Sequence, residues 1–295
     1  MKKRRSYHVF ALGAVTLWAL AYVLTRLALR CFSPFSLGFL RYATAAIALV
    51  PVLAVTRARP PALRDFPLFL LSGGFGFFLY MVAFNLGSVT VPAAESSALV
   101  ATAPILTALL ARVVFQERLT LVQWIAMAVA FCGIVNLTLP AGGMHFSGGL
   151  LWILLSVFSM SAYNLVQRKL TGRYSALQSS AYSIAAGALL LSVFAPKAAG
   201  ELTRAPWEAV AAVLALGVLC GAAAYGLWAA ALSRAPRTSA ASSYMFLIPP
   251  LAALFGYVAA GERPTLHTIA GGGVILAGLL LFYMGGKTRP GRFSG

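Results

Sequence analysis

The sequence has 295 residues, of which 60% are hydrophobic and only 10% are charged, and its mean hydropathy is +0.86. Soluble domains contain about half apolar and about a quarter charged residues, so this composition excludes an ordinary soluble fold and predicts a protein that crosses the lipid bilayer. The net charge of +17 comes from short basic clusters between apolar stretches, which is typical of membrane topology, and we expect no nucleic-acid partner. The three cysteines and three histidines are scattered, so the sequence predicts neither a metal site nor a cofactor.

Apolar runs separated by proline and glycine breakers predict an all-α membrane protein with ten transmembrane helices. In chain order, predicted helices 1 to 5 cover residues 8–29, 36–56, 67–88, 93–115 and 120–139. Predicted helices 6 to 10 cover residues 148–168, 175–195, 207–232, 237–260 and 265–285. The basic start resembles a signal peptide, but the apolar run after it lacks a small-residue cleavage site, so we expect an uncleaved first helix.

The distribution of lysine and arginine tests this helix count. If the N-terminus is cytoplasmic, most basic residues fall in the segments that ten helices place on the cytoplasmic side. Nine or eleven helices would place the basic cluster of one end outside. The sequence therefore predicts a membrane protein with both termini in the cytoplasm.

The two halves of the chain resemble each other. A shift of 145 residues places Pro104 on Pro249 and Glu117 on Glu262, and half of the positions in 104–121 are identical under this shift. Five helices are an odd number, so the second half enters the membrane from the opposite side. Such inverted repeats suit alternating access around a central cavity. The predicted repeats are residues 1–142 and 143–295.

The same shift aligns Gly217 and Gly221 of predicted helix 8 with Ser72 and Gly76 of predicted helix 3. Small residues four positions apart allow helix backbones to approach closely, so both pairs predict helix contacts. Predicted helices 5 and 10 carry few polar groups, and we expect them to lie outside the cavity.

Several motifs resemble the EamA family of the drug/metabolite transporter superfamily. They are the turn Glu117-Arg118-Leu119-Thr120 and its repeat at 262–265, residues 18–26 of predicted helix 1, and Leu40 to Ala46 of predicted helix 2. The resemblance covers nearly the whole chain. It implies ten helices, two inverted repeats, a central cavity and the export of small metabolites. The chain is similar to bacterial exporters of aromatic amino acids, which implies a location in the bacterial inner membrane.

Aromatic and amide side chains within the apolar helices are the candidate substrate-binding residues. An amide that faces lipid is costly, and aromatic rings bind apolar side chains and cations, so we expect a subset of them to line the cavity. The other interpretation is that these side chains anchor the helices at the membrane interface or pack helix against helix. The candidates are Trp18, Tyr22, Tyr80, Asn85, Tyr163, Asn164, Tyr225, Trp228 and Tyr244.

Two ionisable residues are candidates for coupling or gating. Glu95 is an acid in the first turn of predicted helix 4. It either couples transport to protons or only interacts favourably with the positive end of the helix dipole. Arg41 lies a few residues inside predicted helix 2, where it either extends to the outer surface or contacts a substrate carboxylate.

The repeated glutamates Glu117 and Glu262 each precede a threonine that predicts a helix N-cap. Thr120 and Gln123 fit a capping box, so we expect a structural role for this motif. Arg26, near the end of predicted helix 1, is expected to extend to the interface and to interact with the helix dipole.

No catalytic motif is present, so the sequence predicts a transporter and not an enzyme. We expect export of small amphipathic metabolites, with aromatic or bulky neutral amino acids as substrates, by alternating access. Two alternatives are also transporters: a multidrug or lipophilic-cation exporter, and a sugar-phosphate carrier. Two further alternatives belong to other classes of protein: a membrane-embedded enzyme and a receptor. The expected partners are a small-molecule substrate and the lipid bilayer, and the choice between monomer and homodimer stays open.

Overall fold

A computed structural model describes residues 2–116, 119–138, 148–234 and 243–287. Within these ranges all regular structure is helical. Eight helical segments are long and apolar enough to cross a membrane, and two shorter apolar helices, Leu121–Asn136 and Ile248–Ala259, accompany them. The prediction of an all-α, multi-pass membrane protein is confirmed.

The helices follow the predicted order closely. In the first half they are α1 (Lys2–Ala28), α2 (Pro34–Val55), α3 (Phe66–Gly73), α4 (Tyr80–Ser88), α5 (Ala93–Val100), α6 (Ala103–Phe115) and α7 (Leu121–Thr138). In the second half they are α8 (Gly148–Leu170), α9 (Ala176–Leu191), α10 (Ala195–Leu202), α11 (Trp207–Leu214), α12 (Ala224–Arg234), α13 (Ile248–Ala260) and α14 (Leu266–Lys287).

Two π-helical segments, π1 (Gly74–Leu79) and π2 (Ala215–Ala223), connect α3 to α4 and α11 to α12. They lie in the parts of the sequence that the shift of 145 residues aligns. A π-helix adds a residue to the turn and is frequent at functional sites. The sequence did not predict either segment, because local propensity does not distinguish a π turn from an α turn.

Helix ends follow the local chemistry of the sequence. Ser33 caps α2, its side chain accepting from the backbone N–H of Ser36, and Pro34 occupies the first turn. The predicted capping box is confirmed, since Thr120 N donates to Gln123 Oε1 over 2.9 Å and Gln123 N donates to Thr120 Oγ1 over 3.2 Å. One predicted boundary was wrong: the membrane-spanning segment that begins at Ala176 runs past Pro196 to Leu202, because Pro196 sits in the first turn of α10, where proline is tolerated.

The largest apolar cluster is formed mainly by residues of α1, α2, π1, α4, α8 and α9, and Tyr225 of α12 packs against it. Helices α7 and α14, which correspond to predicted helices 5 and 10, pack against each other and form a different cluster. A Cβ atom on Gly278 would lie only 2.7 Å from the backbone nitrogen of Ala130. This close contact holds α7 against α14, and the position of this pair outside the cavity stays a prediction.

Glycines bring π2 against α2. A Cβ atom on Gly217 would lie 2.6 Å from Thr44 Cβ and 2.8 Å from the carbonyl oxygen of Arg41, and one on Gly221 would lie 2.7 Å from Ala45 Cβ. The predicted small-residue contact of helix 8 is therefore confirmed. It also fixes the backbone position of Arg41.

We expect Gly217→Ala to destabilise the protein by about 1–3 kcal/mol, because the added methyl group must separate α2 from π2. Gly226→Ala in α12 is the matched control, since a Cβ atom there meets no atom within 4 Å. Thermal unfolding of both variants in detergent measures the difference. Equal melting temperatures for the two variants would contradict the close contact.

Candidate functional site

Aromatic rings from both halves of the chain meet in the middle of the bundle. The ring of Trp18 in α1 lies 5.4 Å from that of Tyr225 and 5.3 Å from that of Trp228, both in α12. The ring of Phe77 in π1 lies 6.2 Å from that of Tyr225 and 5.3 Å from that of Tyr163 in α8.

Tyr42 of α2 completes this group, its ring 5.0 Å from that of Phe77 and nearly perpendicular to it. We call these six residues the aromatic cluster: Trp18, Tyr42, Phe77, Tyr163, Tyr225 and Trp228. The edge-to-face geometry of several pairs is the arrangement that aromatic rings prefer. Tyr42 and Phe77 were not predicted, because an aromatic residue in an apolar run gives no signal of the direction in which its side chain points.

A second aromatic group connects α1 and α4. The ring of Phe84 lies 5.3 Å from that of Tyr22 and is stacked on Tyr80 at 5.7 Å. Both tyrosines were predicted to line the cavity. Tyr22 and Phe84 belong to the largest apolar cluster, against which Tyr80 packs, so this group and the aromatic cluster are neighbours in the same core.

The Arg41 side chain is buried, with 8% of its surface exposed. Its guanidinium carbon lies 5.6 Å from the centre of the Tyr42 ring, and its Nε atom is buried without a hydrogen-bond partner among the described residues. Arg41 therefore lies inside the bundle and does not extend to the outer surface.

The predicted amides take part in contacts between helices. Asn85 is fully buried, and its Nδ2 donates to the carbonyl oxygen of Pro34 over 2.8 Å, while its Oδ1 has no partner among the described groups. Asn164 Nδ2 donates to Thr107 Oγ1 over 3.1 Å, which joins α8 to α6.

The hydroxyl group of Tyr163 belongs to a polar network between α3, α8 and α9. It accepts from Gln167 Nε2 over 2.8 Å, and Gln167 also bonds to Ser179 and donates to Ser183 over 3.2 Å. Ser183 and Ser72 share a hydrogen bond of 2.8 Å. Tyr163 thus contributes its ring to the aromatic cluster and its hydroxyl group to helix packing.

Tyr244 lies elsewhere. Its hydroxyl group bonds to His8 Nδ1, and its ring lies 6.4 Å from that of Tyr7. Both partners are in the second turn of α1, about 15 Å along the helix axis from Trp18. The structure therefore does not place Tyr244 in the aromatic cluster.

Glu262 is the centre of a network of polar contacts at the C-terminal end of α1. Its Oε1 lies 2.8 Å from Arg26 Nη1, and its Oε2 accepts from the backbone N–H of Ala93, the first residue of α5, over 3.0 Å. In the same region, Thr268 Oγ1 donates to Glu95 Oε1 over 3.0 Å. We call these five residues the Glu262 network. It joins α1, α5 and the start of α14, and Glu117 of the repeated motif lies outside the described residues.

Sequence reasoning missed this ion pair, since it assigned Arg26 to the membrane interface. The repeat offered a signal, because Glu262 recurs as Glu117 in a chain with only six acidic residues. A carboxylate near the membrane boundary is costly to bury unless a positive charge pairs with it, so the recurrence of this acid indicates a basic partner.

Cavities open at both ends of the bundle. One of about 660 Å³, beside the end of α2, is lined by residues 56–60, 62, 173–175, 177 and 178. The other, of about 220 Å³, is lined by Arg26, Ser88 and Glu262, beside the end of α1. Because α1 and α2 run antiparallel, the aromatic cluster lies between these two cavities.

Comparison with known proteins also indicates a membrane transporter. The sequence profile of the EamA-like transporter family matches residues 5–139 and again residues 147–284. A crystal structure described only as "Crystal structure of protein" aligns with a TM-score of 0.65 at 20% identity, covering 97% of this chain and 99% of that one. This likeness concerns the fold.

Curated relatives span nearly the full length of the chain. The "Probable terminal-alkyne amino-acid exporter" of Streptantibioticus cattleyicolor is 31% identical over 95% of this chain and 94% of its own. The "Uncharacterized transporter YdfC" of Bacillus subtilis is 31% identical over 92% and 88%. The "Probable amino-acid metabolite efflux pump" of Salmonella typhimurium is 26% identical over 97% of each chain.

A double-mutant cycle tests the Glu262 network. We expect Arg26→Ala and Glu262→Ala to couple by about 0.5–3 kcal/mol, because their ion pair is direct and partly buried. Denaturant unfolding in detergent measures the cycle. The pair Lys197 and Glu201 is the control, since its charges are 3.8 Å apart with the lysine mostly exposed, and we expect a coupling below about 1 kcal/mol. Additive single effects at Arg26 and Glu262 would contradict the prediction.

Proposed function

The chain belongs to the EamA-like transporter family, and on that premise we propose that it exports small amphipathic metabolites, with aromatic or bulky neutral amino acids as its substrates. The observation that carries the proposal is the aromatic cluster. Rings from α1, α2, π1, α8 and α12 meet between the two end cavities. Such rings bind the apolar side chain of an amino acid by contact area and ring stacking.

The names of two relatives support the substrate class. Both the Streptantibioticus and the Salmonella proteins are described as transporters of amino acids or their metabolites. Their identity to this chain is 31% and 26%, a level at which family and fold are shared while substrates diverge. The aromatic cluster is therefore the more direct support, because it belongs to this chain.

We further propose ten transmembrane helices in two inverted repeats, residues 1–142 and 143–295. The two shorter apolar helices beside the eight long ones, the two separate matches of the family profile and the paired positions of π1 and π2 support this arrangement. With both termini in the cytoplasm of a bacterial cell, the two halves would rock against each other around the aromatic cluster.

A lipophilic-cation exporter is the second candidate, because aromatic faces attract cations. The buried charge of Arg41 opposes it, since a like charge in the same low-dielectric region repels a cationic substrate. The zwitterion of an amino acid carries a carboxylate that this cation attracts. The cluster and Arg41 together therefore favour amino acids.

Flux in proteoliposomes tests the proposal. We expect saturable transport of labelled Phe, Trp and Met and little transport of Asp or of a lipophilic cation, each measured with and without a pH gradient. A response to the gradient that Glu95→Gln abolishes would assign proton coupling to Glu95. Movement of the cation alone would overturn the amino-acid proposal in favour of the second candidate.

Substitutions in the two aromatic groups test where the substrate binds. We expect Trp18→Ala, Tyr80→Ala and Tyr225→Ala each to reduce Phe transport at least about ten-fold, the effect of losing roughly 1.4 kcal/mol of contact. Trp152→Ala is the control, because Trp152 in α8 is 41% exposed on the apolar surface. Wild-type flux in the three variants, with normal membrane insertion, would contradict the assignment.

A further inference from the structure

Arg41 is a buried cation whose charge no described carboxylate neutralises. A side chain with 8% exposure has lost most of its hydration, and burial of an unpaired charge is costly. Proteins retain such a charge where it pairs with a partner or meets a ligand. The identity of that partner decides what Arg41 does.

The carboxylates that the structure describes are all engaged or exposed elsewhere. Asp65 pairs with Arg173, and Glu262 pairs with Arg26. Glu95 accepts from Thr268. Glu201 accepts from the backbone of Ser33 near Lys197, and Glu208 is exposed at the start of α11. Among the described residues, none forms an ion pair with Arg41.

The groups around Arg41 are neutral. Its guanidinium carbon lies 5.6 Å from the centre of the Tyr42 ring, and Tyr42 belongs with Tyr22 to the largest apolar cluster, against which Tyr80 and Tyr225 pack. Phenol groups provide hydrogen bonds and ring faces but no negative charge at neutral pH. Its Nε donor is buried and unpaired among the described groups. A cation, a free donor and aromatic walls therefore converge at one place.

We propose that Arg41 binds the carboxylate of the substrate, and that the transported class is apolar monocarboxylates with or without an α-amino group. This inference rests on the proposed function and narrows its substrate class. The planar guanidinium group of arginine matches a carboxylate in a two-point hydrogen bond, which a lysine cannot reproduce. The adjacent rings receive the apolar side chain.

The α-amino group contributes less than the carboxylate. Among the described residues, no acidic side chain forms an ion pair beside Arg41, so the phenol oxygens and ring faces of this core are the partners available to the ammonium group of a substrate. These are weaker partners for a cation than a carboxylate is. Removal or acylation of the amino group should therefore be tolerated, whereas neutralisation of the carboxylate should not.

A series of competitors that all carry the phenyl ring of Phe tests, in the wild-type protein, whether the carboxylate contributes more to binding than the amino group. Efflux of labelled Phe from proteoliposomes is measured against 3-phenyllactate, N-acetylphenylalanine, phenylalaninamide and phenylalanine methyl ester. We expect the two carboxylates to compete within about ten-fold of unlabelled Phe and the amide and ester to be at least about ten-fold weaker, a difference of roughly 1.4 kcal/mol or more. Equal competition by phenylalaninamide and Phe would overturn the proposal.

Variants of Arg41 test the residue itself. We expect Arg41→Gln to raise the KM for Phe at least about ten-fold, which corresponds to roughly 1.4 kcal/mol, and Arg41→Lys to restore it only in part. Arg204→Gln, in the exposed turn after α10, is the control and should keep wild-type flux. An unchanged KM in a correctly inserted Arg41→Gln protein would overturn the proposal.

A binding measurement separates this inference from the proposed function. Thermal stabilisation of the detergent-solubilised wild type is recorded with the same four compounds. If no labelled amino acid is transported, the export proposal fails. Stabilisation by the carboxylates alone would still support the Arg41 site, and equal stabilisation by the amide, or none by any compound, would overturn it.

Discussion

Within hydrocarbon, every backbone N–H and C=O group must find its hydrogen bond inside the protein, and the whole structure depends on this requirement. It makes all the regular structure in the described ranges helical. It also explains where the breakers lie. Pro34 and Pro196 lie in first turns, where the missing N–H has no partner to lose. Even the irregular segments π1 and π2 keep a helical hydrogen-bond pattern.

The same requirement sorts the polar side chains of the bundle into two kinds. Many of them bond to a backbone carbonyl of their own helix, as Ser156 and Ser159 do, and others bond to another helix: Gln167 joins α8 to α9, and Asn85 holds α4 to the start of α2. The Glu262 network joins α1 to α5 in the same way. Arg41 belongs to the second kind, since its charge has no described carboxylate partner and its surroundings are aromatic. Under the proposal that Arg41 binds the substrate, this unneutralised charge distinguishes it from the polar groups that only hold helices together.

The aromatic cluster and the Glu262 network have complementary positions. The cluster lies between the two end cavities and combines residues of both halves, whereas the network joins helix ends beside the smaller cavity. A motion that moves α1 away from the segment before α14 would separate Arg26 from Glu262. A rocking movement of the two halves would thus break one ion pair and slide smooth contacts such as Gly217 against Thr44.

The sequence by itself determined the helical membrane fold, the order of the helices and the Thr120–Gln123 cap, because hydropathy and capping are local properties. It also named Trp18, Tyr225 and Trp228, which the structure brings together. Only the tertiary structure decided that Tyr42 and Phe77 join them, that Tyr244 does not, and that Arg41 points inward. In helices this apolar, no polar face shows which way a side chain points, and partners such as Arg26 and Glu262 meet only when distant segments pack.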